Sequence, residues 1–316
     1  MTAAPAVTLA IPCRTDEPAL GRTLVAAADG WRRVSGPAAR ALEVLVCLNG
    51  GDGAGPLRDL RHFAERGGVP LAEVDLDAGG SMPDLPAAPL AVAALVTRRT
   101  GKPIAWNILR RAARSPLALF MDADVSFAPE AFALLLGALG TNPAAALASG
   151  KTTCAPRPGL FEAVMAAPYG VDFPNLSPQL YAARLDALPP AIPEDLLEPE
   201  HWLALVLGPE RIVRVPAARV AVRLPGTLAD FFRQRVRIEM GKVQIAHEYP
   251  GLARRAVPQP RARAALRSLG AAGLARLAAY LALRSAAHAV AWWRYRRGAT
   301  AGVWRQAATT KSWGAG

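Results

Sequence analysis

Cysteine and histidine are scarce in this chain of 316 residues, three of the first and four of the second, and lysine is rare beside arginine. The cysteines, Cys13, Cys47 and Cys154, are odd in number and form no CxxC pair. These features argue against a disulfide framework or a zinc site, and a reducing compartment is expected. His62, His201, His247 and His288 are scattered without metal-ligand spacing; only His247 offers itself as an added ligand from the C-terminal side. No long, wholly apolar run is present, so no transmembrane helix is expected. Residues Met1 to Pro5 carry no charged segment leading into an apolar run, so no signal peptide is expected either. GxSxG, HExxH and P-loop patterns are missing. The expectation is a cytoplasmic protein without nucleophilic-serine, zinc-peptidase or P-loop chemistry.

Acidic residues are also missing from one region. Residues 211–316 hold 20 basic and three acidic residues, a net of +17, whereas residues 1–210 have a net of −5. The overall +12 therefore comes from the C-terminal third. A basic pole implies an anionic partner: nucleic acid, anionic lipid or a diphosphate.

What is present is ample for a core, since half the residues are hydrophobic. Alanine is so abundant that alanine-rich stretches are given little weight as signals. Val7–Pro12, Glu43–Asn49, Val69–Leu76 and Leu117–Met121 are apolar strand candidates, with helical patterns at about 17–28, after residue 52, at 101–114 and from Pro129. Ala144–Ser149, Arg211–Val215 and Val220–Leu224 are further strand candidates. Continuous apolar strands alternating with helices predict a mostly parallel, Rossmann-type α/β sheet covered on both faces. Residues 77–90 are expected to form a loop, and the Pro-rich residues 155–200 a less regular, substrate-facing region. A short helix is expected at His201–Leu207 and a long one after Thr227.

Ligands of open α/β sheets bind beyond the carboxyl ends of the strands. Thr15, Asp16 and Glu17, Asn49 and Asp52, and Asp122 and Asp124 occupy those positions. Asp122-Ala123-Asp124 is the sharpest signal. Two carboxylates two residues apart at the end of a buried strand suit one hard divalent cation, Mn2+ or Mg2+, bridging to a diphosphate.

The run GKPIAWNILRRAARSPLALFMDADVSFAPEAFALLL resembles the centre of family 2 glycosyltransferases. VTLAIPCRTDEPALGRTL and VLVCLNGGDG resemble that family's first and second strands with their loops, and the likeness extends over about residues 5–245. The resemblance implies a GT-A-like catalytic domain over residues 1–245 that binds a nucleotide-sugar donor and inverts configuration at the transferred sugar. It implies Asp124 as metal ligand and Asp122 as ligand to the metal or contact to the ribose. Pro12, Thr15, Glu17, Asn49 and Lys102 are implied donor contacts. SPQLYAARLDAL resembles the acceptor-side segment, with Pro178 replacing a Gly. PEHWLALVLGPERIVRVPAARV resembles the family's Glu-Asp motif and following strand, which puts the catalytic base at Glu200, with Asp195 as alternative. Gln234-Arg235-Val236-Arg237-Ile238 resembles the QxxRW motif and implies donor contacts from Gln234, Arg235 and Arg237. Ile238 in place of Trp speaks against a polymerising activity.

Residues 246–316 are expected to form a basic helical extension. Arg276, Tyr280, Arg284 and His288 recur at steps of four, forming a polar stripe opposite Leu274, Leu277, Leu281 and Val290, and Trp292-Trp293 with Arg294–Arg297 follow. Two readings stand. The helix lies on the inner face of an anionic membrane, close to a lipid-linked acceptor, or it packs on the catalytic domain through its apolar side. A nucleotidyltransferase is disfavoured because the loop after the first strand, Cys13–Pro18, has no Gly; no zinc-finger, RRM or KH signature supports nucleic-acid binding. A donor-binding protein with weak or no transferase activity is the remaining alternative, from the altered Glu-Asp and QxxRW motifs.

Overall fold

The computed structural model describes residues 7–35, 41–81, 85–86, 88–154, 158–170, 176–254 and 269–298. The N-terminal Met1–Pro5, parts of the expected loop at 77–90, parts of the Pro-rich stretch and the expected start of the basic tail at Pro260 lie outside the described residues. The chain divides into two compact units. One comprises Met1–Lys151, Leu176–Asp195 and Glu210–Val220; the other comprises Thr152–Asn175, Leu196–Pro209 and Ala221–Gly316.

The first unit begins β1 (Val7–Arg14), α1 (Leu20–Ser35), β2 (Leu42–Asn49), α2 (Ala54–Gly67), β3 (Leu71–Asp75), β4 (Leu90–Thr97), α3 (Lys102–Ala112) and β5 (Leu117–Met121). It continues through β6 (Ser126–Phe127), α4 (Ala131–Thr141) and β7 (Leu147–Cys154). After α5 (Leu160–Ala166) come β8 (Leu180–Arg184), α6 (Pro199–Leu207) and β9 (Ile212–Val222). Among the described residues the sheet has nine strands, in the order β3-β4-β2-β1-β5-β8-β7-β9-β6. The pairs β1–β2, β1–β5, β2–β4 and β3–β4 are parallel, and β8 runs antiparallel to β5 and β7. This is the mostly parallel α/β sheet that the apolar runs predict.

Side chains alternate across the sheet, and each face buries its own set. Leu9, Ile11, Val44, Val46, Leu119 and Met121 join Leu20, Leu24 and Trp31 of α1, Leu60 of α2 and Phe132 of α4 in one core. On the other face, Trp106 of α3 stacks on Phe120 at 5.3 Å between centroids, and Phe120 stacks on Tyr181 at 5.2 Å. Phe120 and Tyr181 are direct cross-strand partners, and the Trp106 indole N–H donates to the Tyr181 hydroxyl at 2.9 Å. The buried polar atoms of this stack are thus paired, as burial requires.

Three strands differ from expectation. LAVAALVT forms β4, a central strand between β3 and β2, although its alanines make it a weak signal by composition. Leu180–Arg184, read only as an acceptor-side motif, is β8. The two short strands expected at 211–224 are one strand, β9.

The second unit is helical: α5, α6, α7 (Leu228–Glu248), α8 (Pro250–Ala253) and α9 (Ala271–Arg296). The Thr227 side chain caps α7, accepting from the Asp230 amide at 3.1 Å, which satisfies one of the free donors at a helix start. The domain boundary expected at residue 245 falls inside α7. Met165, Leu224, Phe231 and Tyr280 form one core cluster, and Val236, Met240, Ala287 and Ala291 another.

Candidate active site

The carboxyl ends of β2, β1 and β5 are neighbours on one edge of the first unit, because these strands are adjacent and parallel. Pro12 and Arg14 end β1, Asn49 ends β2 opposite Arg14, and Asp122 follows β5. The edge therefore gathers residues distant in sequence, at the place where α/β sheets bind ligands.

Asp122 is held from two sides. Its amide donates to the Gln179 carbonyl at 2.9 Å, and one carboxylate oxygen lies 2.7 Å from the Lys102 ammonium. Both side chains remain partly exposed. The Ala123 carbonyl accepts from the Thr23 hydroxyl of α1 at 2.8 Å, so the DxD backbone is pinned between α1 and the Gln179 segment. Burial lowers the pKa of the Arg22 guanidinium, and the nearby Asp124 carboxylate opposes that shift. Each carboxylate of the motif thus has a basic neighbour.

The second-strand loop is fixed as well. The Asn49 side-chain amide donates to the Gly101 carbonyl at 2.8 Å, joining the end of β2 to the start of α3, where Lys102 sits. Gly50 and Gly53 have positive φ, 100° and 69°, which Gly adopts without steric cost. A Cβ on Gly51 would lie 2.9 Å from the Thr15 hydroxyl oxygen, so this loop runs hard against the β1 loop. Glu17 is buried and accepts from the Ala19 amide at 3.1 Å; this role is local. Asp16 is engaged by Arg14 through two contacts of 2.8 Å.

Two carboxylates at a rigid strand end fit a Mg2+ or Mn2+ that takes its remaining ligands from phosphate oxygens and water. Among the described residues no group of three or more His, Cys, Asp or Glu side chains converges to hold a metal by protein ligands alone. His247 instead meets the Tyr295 ring at 5.6 Å between centroids. Asp195, at the end of the first unit's Leu176–Asp195 segment, is exposed.

In the second unit, Glu200 is buried in the first turn of α6, behind Pro199 at the helix start. The QxxR residues diverge. Gln234 is exposed. Arg235 donates to the Tyr280 hydroxyl, lies 5.6 Å from that ring's centroid and 3.7 Å from Glu239. Arg237 reaches Glu198 at 3.5 Å and the Leu197 carbonyl at 3.4 Å. Glu198 was not singled out in the sequence, because the motif alignment runs through Pro199 and Glu200.

Glu239 is the other residue missed. It is buried, and its carboxylate lies 2.9 Å from Lys242, 3.1 Å from Arg284 and 3.2 Å from His288, besides Arg235. Burial pushes its pKa up, but Lys242, Arg284 and Arg235 outweigh burial and hold the carboxyl below its ordinary value. Burial lowers the Lys242 pKa, and Glu239 opposes that. His201 is also lowered, by burial and then by Lys242. Arg235 and Lys242 stand at i−4 and i+3 from Glu239, a spacing readable in sequence. Arg284 and His288 lie 45 and 49 residues away. The stripe expected to face away from the packed side is thus divided: Tyr280 is buried, Arg284 and His288 dock on α7, and only Arg276 stays clear.

No family model matches the sequence, and no curated protein matches it. Solved structures do match in shape. The mannosyltransferase PcManGT of Pyrobaculum calidifontis, solved in complex with GDP-Man and Mn2+, aligns over 94% of this chain and 80% of its own. That match has a TM-score of 0.55 and 21% identity. TarS of S. aureus, residues 1–349 with UDP, aligns over 92% and 91% at 12% identity and a TM-score of 0.49. Glucosyl-3-phosphoglycerate synthase of Mycobacterium tuberculosis aligns over 76% and 79% at 16% identity and a TM-score of 0.45. The chain has the fold of the Pyrobaculum mannosyltransferase, a GT-A-type α/β arrangement.

Proposed function

We propose that the protein is a glycosyltransferase that moves a sugar from a nucleotide-diphosphate donor to an acceptor hydroxyl, with inversion and without processive polymerisation. The observation that carries this reading is the Asp122-Ala123-Asp124 turn at the end of β5, with Lys102 at 2.7 Å from Asp122. It is supported by the fold shared with PcManGT.

Asp124, with Asp122, would hold Mn2+ or Mg2+, which offsets charge on the donor diphosphate. Lys102 and Arg22 are cations beside those carboxylates and add hydrogen bonds to phosphate oxygens. Pro12, Thr15, Glu17 and Asn49 shape the nucleoside side of the site. Glu200, or Asp195 in its place, takes the proton of the acceptor hydroxyl. The acceptor oxygen then forms its bond to the anomeric carbon on the face opposite the departing diphosphate. Positioning and base assistance supply the rate. The acceptor is lipid-linked and is met at an anionic membrane surface, as the +17 of residues 211–316 favours. Residues 1–245 are the catalytic region and 246–316 the extension that faces this partner.

The test is a panel of UDP-, GDP- and ADP-linked sugars with Mn2+, read as release of free nucleotide. Release from one donor that Asp124→Asn abolishes supports the reading. Wild-type protein that releases nucleotide from none of them and binds no nucleoside diphosphate contradicts it.

A further inference from the structure

The last helix is amphipathic in an inverted sense. Its buried line is Leu277, Tyr280, Ala287 and Ala291, and the polar Arg284 and His288 dock beside that line on Glu239 of α7. The small Ala287 and Ala291 sit against Val236 and Met240. Other large apolar side chains lie outside that line. At 100° per residue, Leu274, Leu281 and Trp292 fall on one line of the helix, with Trp293 about 100° and Val290 about 160° round from it. All five are exposed, Trp292 and Trp293 by 47% and 49%. The positions between them are mainly alanine.

The same helix contains no acidic residue. At its end, the Arg296 guanidinium lies 4.3 Å over the Trp292 ring, and that of Arg297 lies 4.1 Å over Trp293. An apolar face ending in tryptophans and arginines has two demands, a low-dielectric layer and nearby anions. A second copy of this chain would bring the same arginines and repel. An anionic lipid interface meets both demands. No described helix is long and apolar enough to cross a membrane; at such an interface the helix would lie in the plane.

We propose that the Leu274–Leu281–Trp292–Trp293 face of α9 inserts into the headgroup region of an anionic membrane, with Arg296 and Arg297 against lipid phosphates. This rests on the membrane reading above and assigns it to one face; Arg284 and His288 serve the protein's own fold.

The experiment is co-sedimentation of the full chain with vesicles of phosphatidylglycerol and phosphatidylcholine, and with phosphatidylcholine alone, at 0.1 and 1 M salt. The Debye length falls from about 10 Å to about 3 Å between these salts. Wild type should sediment with anionic vesicles at low salt and be partly retained at high salt, because apolar burial is not screened. Leu281→Gln with Trp292→Gln should lower partitioning by about tenfold or more at both salts. Arg296→Gln with Arg297→Gln should lower it at low salt only. Thermal unfolding and nucleoside-diphosphate binding should not change in either variant, since the substituted side chains are exposed. Wild type that sediments with no vesicles overturns the membrane reading and this face together. Wild-type sedimentation that Leu281→Gln/Trp292→Gln leaves unchanged overturns this face alone. A concentration-dependent dimer that the same variant dissolves, without sedimentation, gives the face to a second copy.

Discussion

Carboxylates and cations are combined differently in the two units. In the first, Asp122 and Asp124 stand at one strand end with one basic neighbour each, Lys102 and Arg22, and stay partly exposed. In the second, one buried carboxylate, that of Glu239, is shared by Arg235, Lys242, Arg284 and His288. The first arrangement holds both signs within reach of solvent, as the proposed metal–diphosphate pair would require: a carboxylate for its metal and a cation for its phosphates. The second has surplus positive charge and no free face for a metal. It fastens α9 to α7. Net charge alone would assign all these cations to an external partner; the geometry shows that some of them serve the fold.

The largest expected effect falls on turnover. Glu200→Gln should lower kcat by about 10²–10⁴-fold and leave donor binding nearly intact. If Asp195→Asn has that effect and Glu200→Gln does not, the base belongs to the other residue.

The Glu239 cluster should answer in stability rather than catalysis. Breaking a buried pair by removing one partner costs about 3–5 kcal/mol. Arg284 and His288 are about half exposed, so Glu239→Ala should cost about 2–4 kcal/mol after solvent screening. Urea unfolding reads this, and a change below about 0.5 kcal/mol would remove Glu239 from its role as fastener. The pH dependence follows from the same cluster. The folded carboxyl titrates below its ordinary value, so its contribution is complete above the usual carboxylate range. It should be lost as pH falls through the lowered value. The variant should show a flatter stability profile there.

A smaller effect is expected at Gly241. A Cβ there would lie 2.5 Å from the Glu198 side chain and 3.0 Å from its backbone nitrogen. Gly241→Ala should cost about 1–3 kcal/mol by overpacking and disturb the Arg237–Glu198 pair. Thermal unfolding of Gly241→Ala measures it, and a cost below about 0.5 kcal/mol would contradict the contact.

Much of the first unit is legible in the sequence because its strands are continuous apolar runs bounded by polar loops. LALFM followed by DAD announces both β5 and the carboxylates at its end. The LAVAALVT strand is not legible by the same rule, since alanine marks helix, strand and compositional bias alike. Glu198 escapes because Pro199 interrupts the motif that would have pointed to it. For α9 the largest hydrophobic residues suggest the packed side, but Glu239 draws Arg284 and His288 inward and two alanines permit close approach. That choice depends on α7, about 45 residues away, and no local pattern contains it.

The central claim, that Asp122 and Asp124 form a metal–diphosphate site, is tested most directly by calorimetric and thermal-shift titration of GDP and UDP with and without Mn2+. For wild type, one nucleotide with Mn2+ should stabilise the protein by about 2.7 kcal/mol at a hundredfold excess over Kd, with little effect when Mn2+ is omitted. Asp124→Asn should fold as wild type and lose that shift. An equal Mn2+-dependent shift in Asp124→Asn would contradict the account.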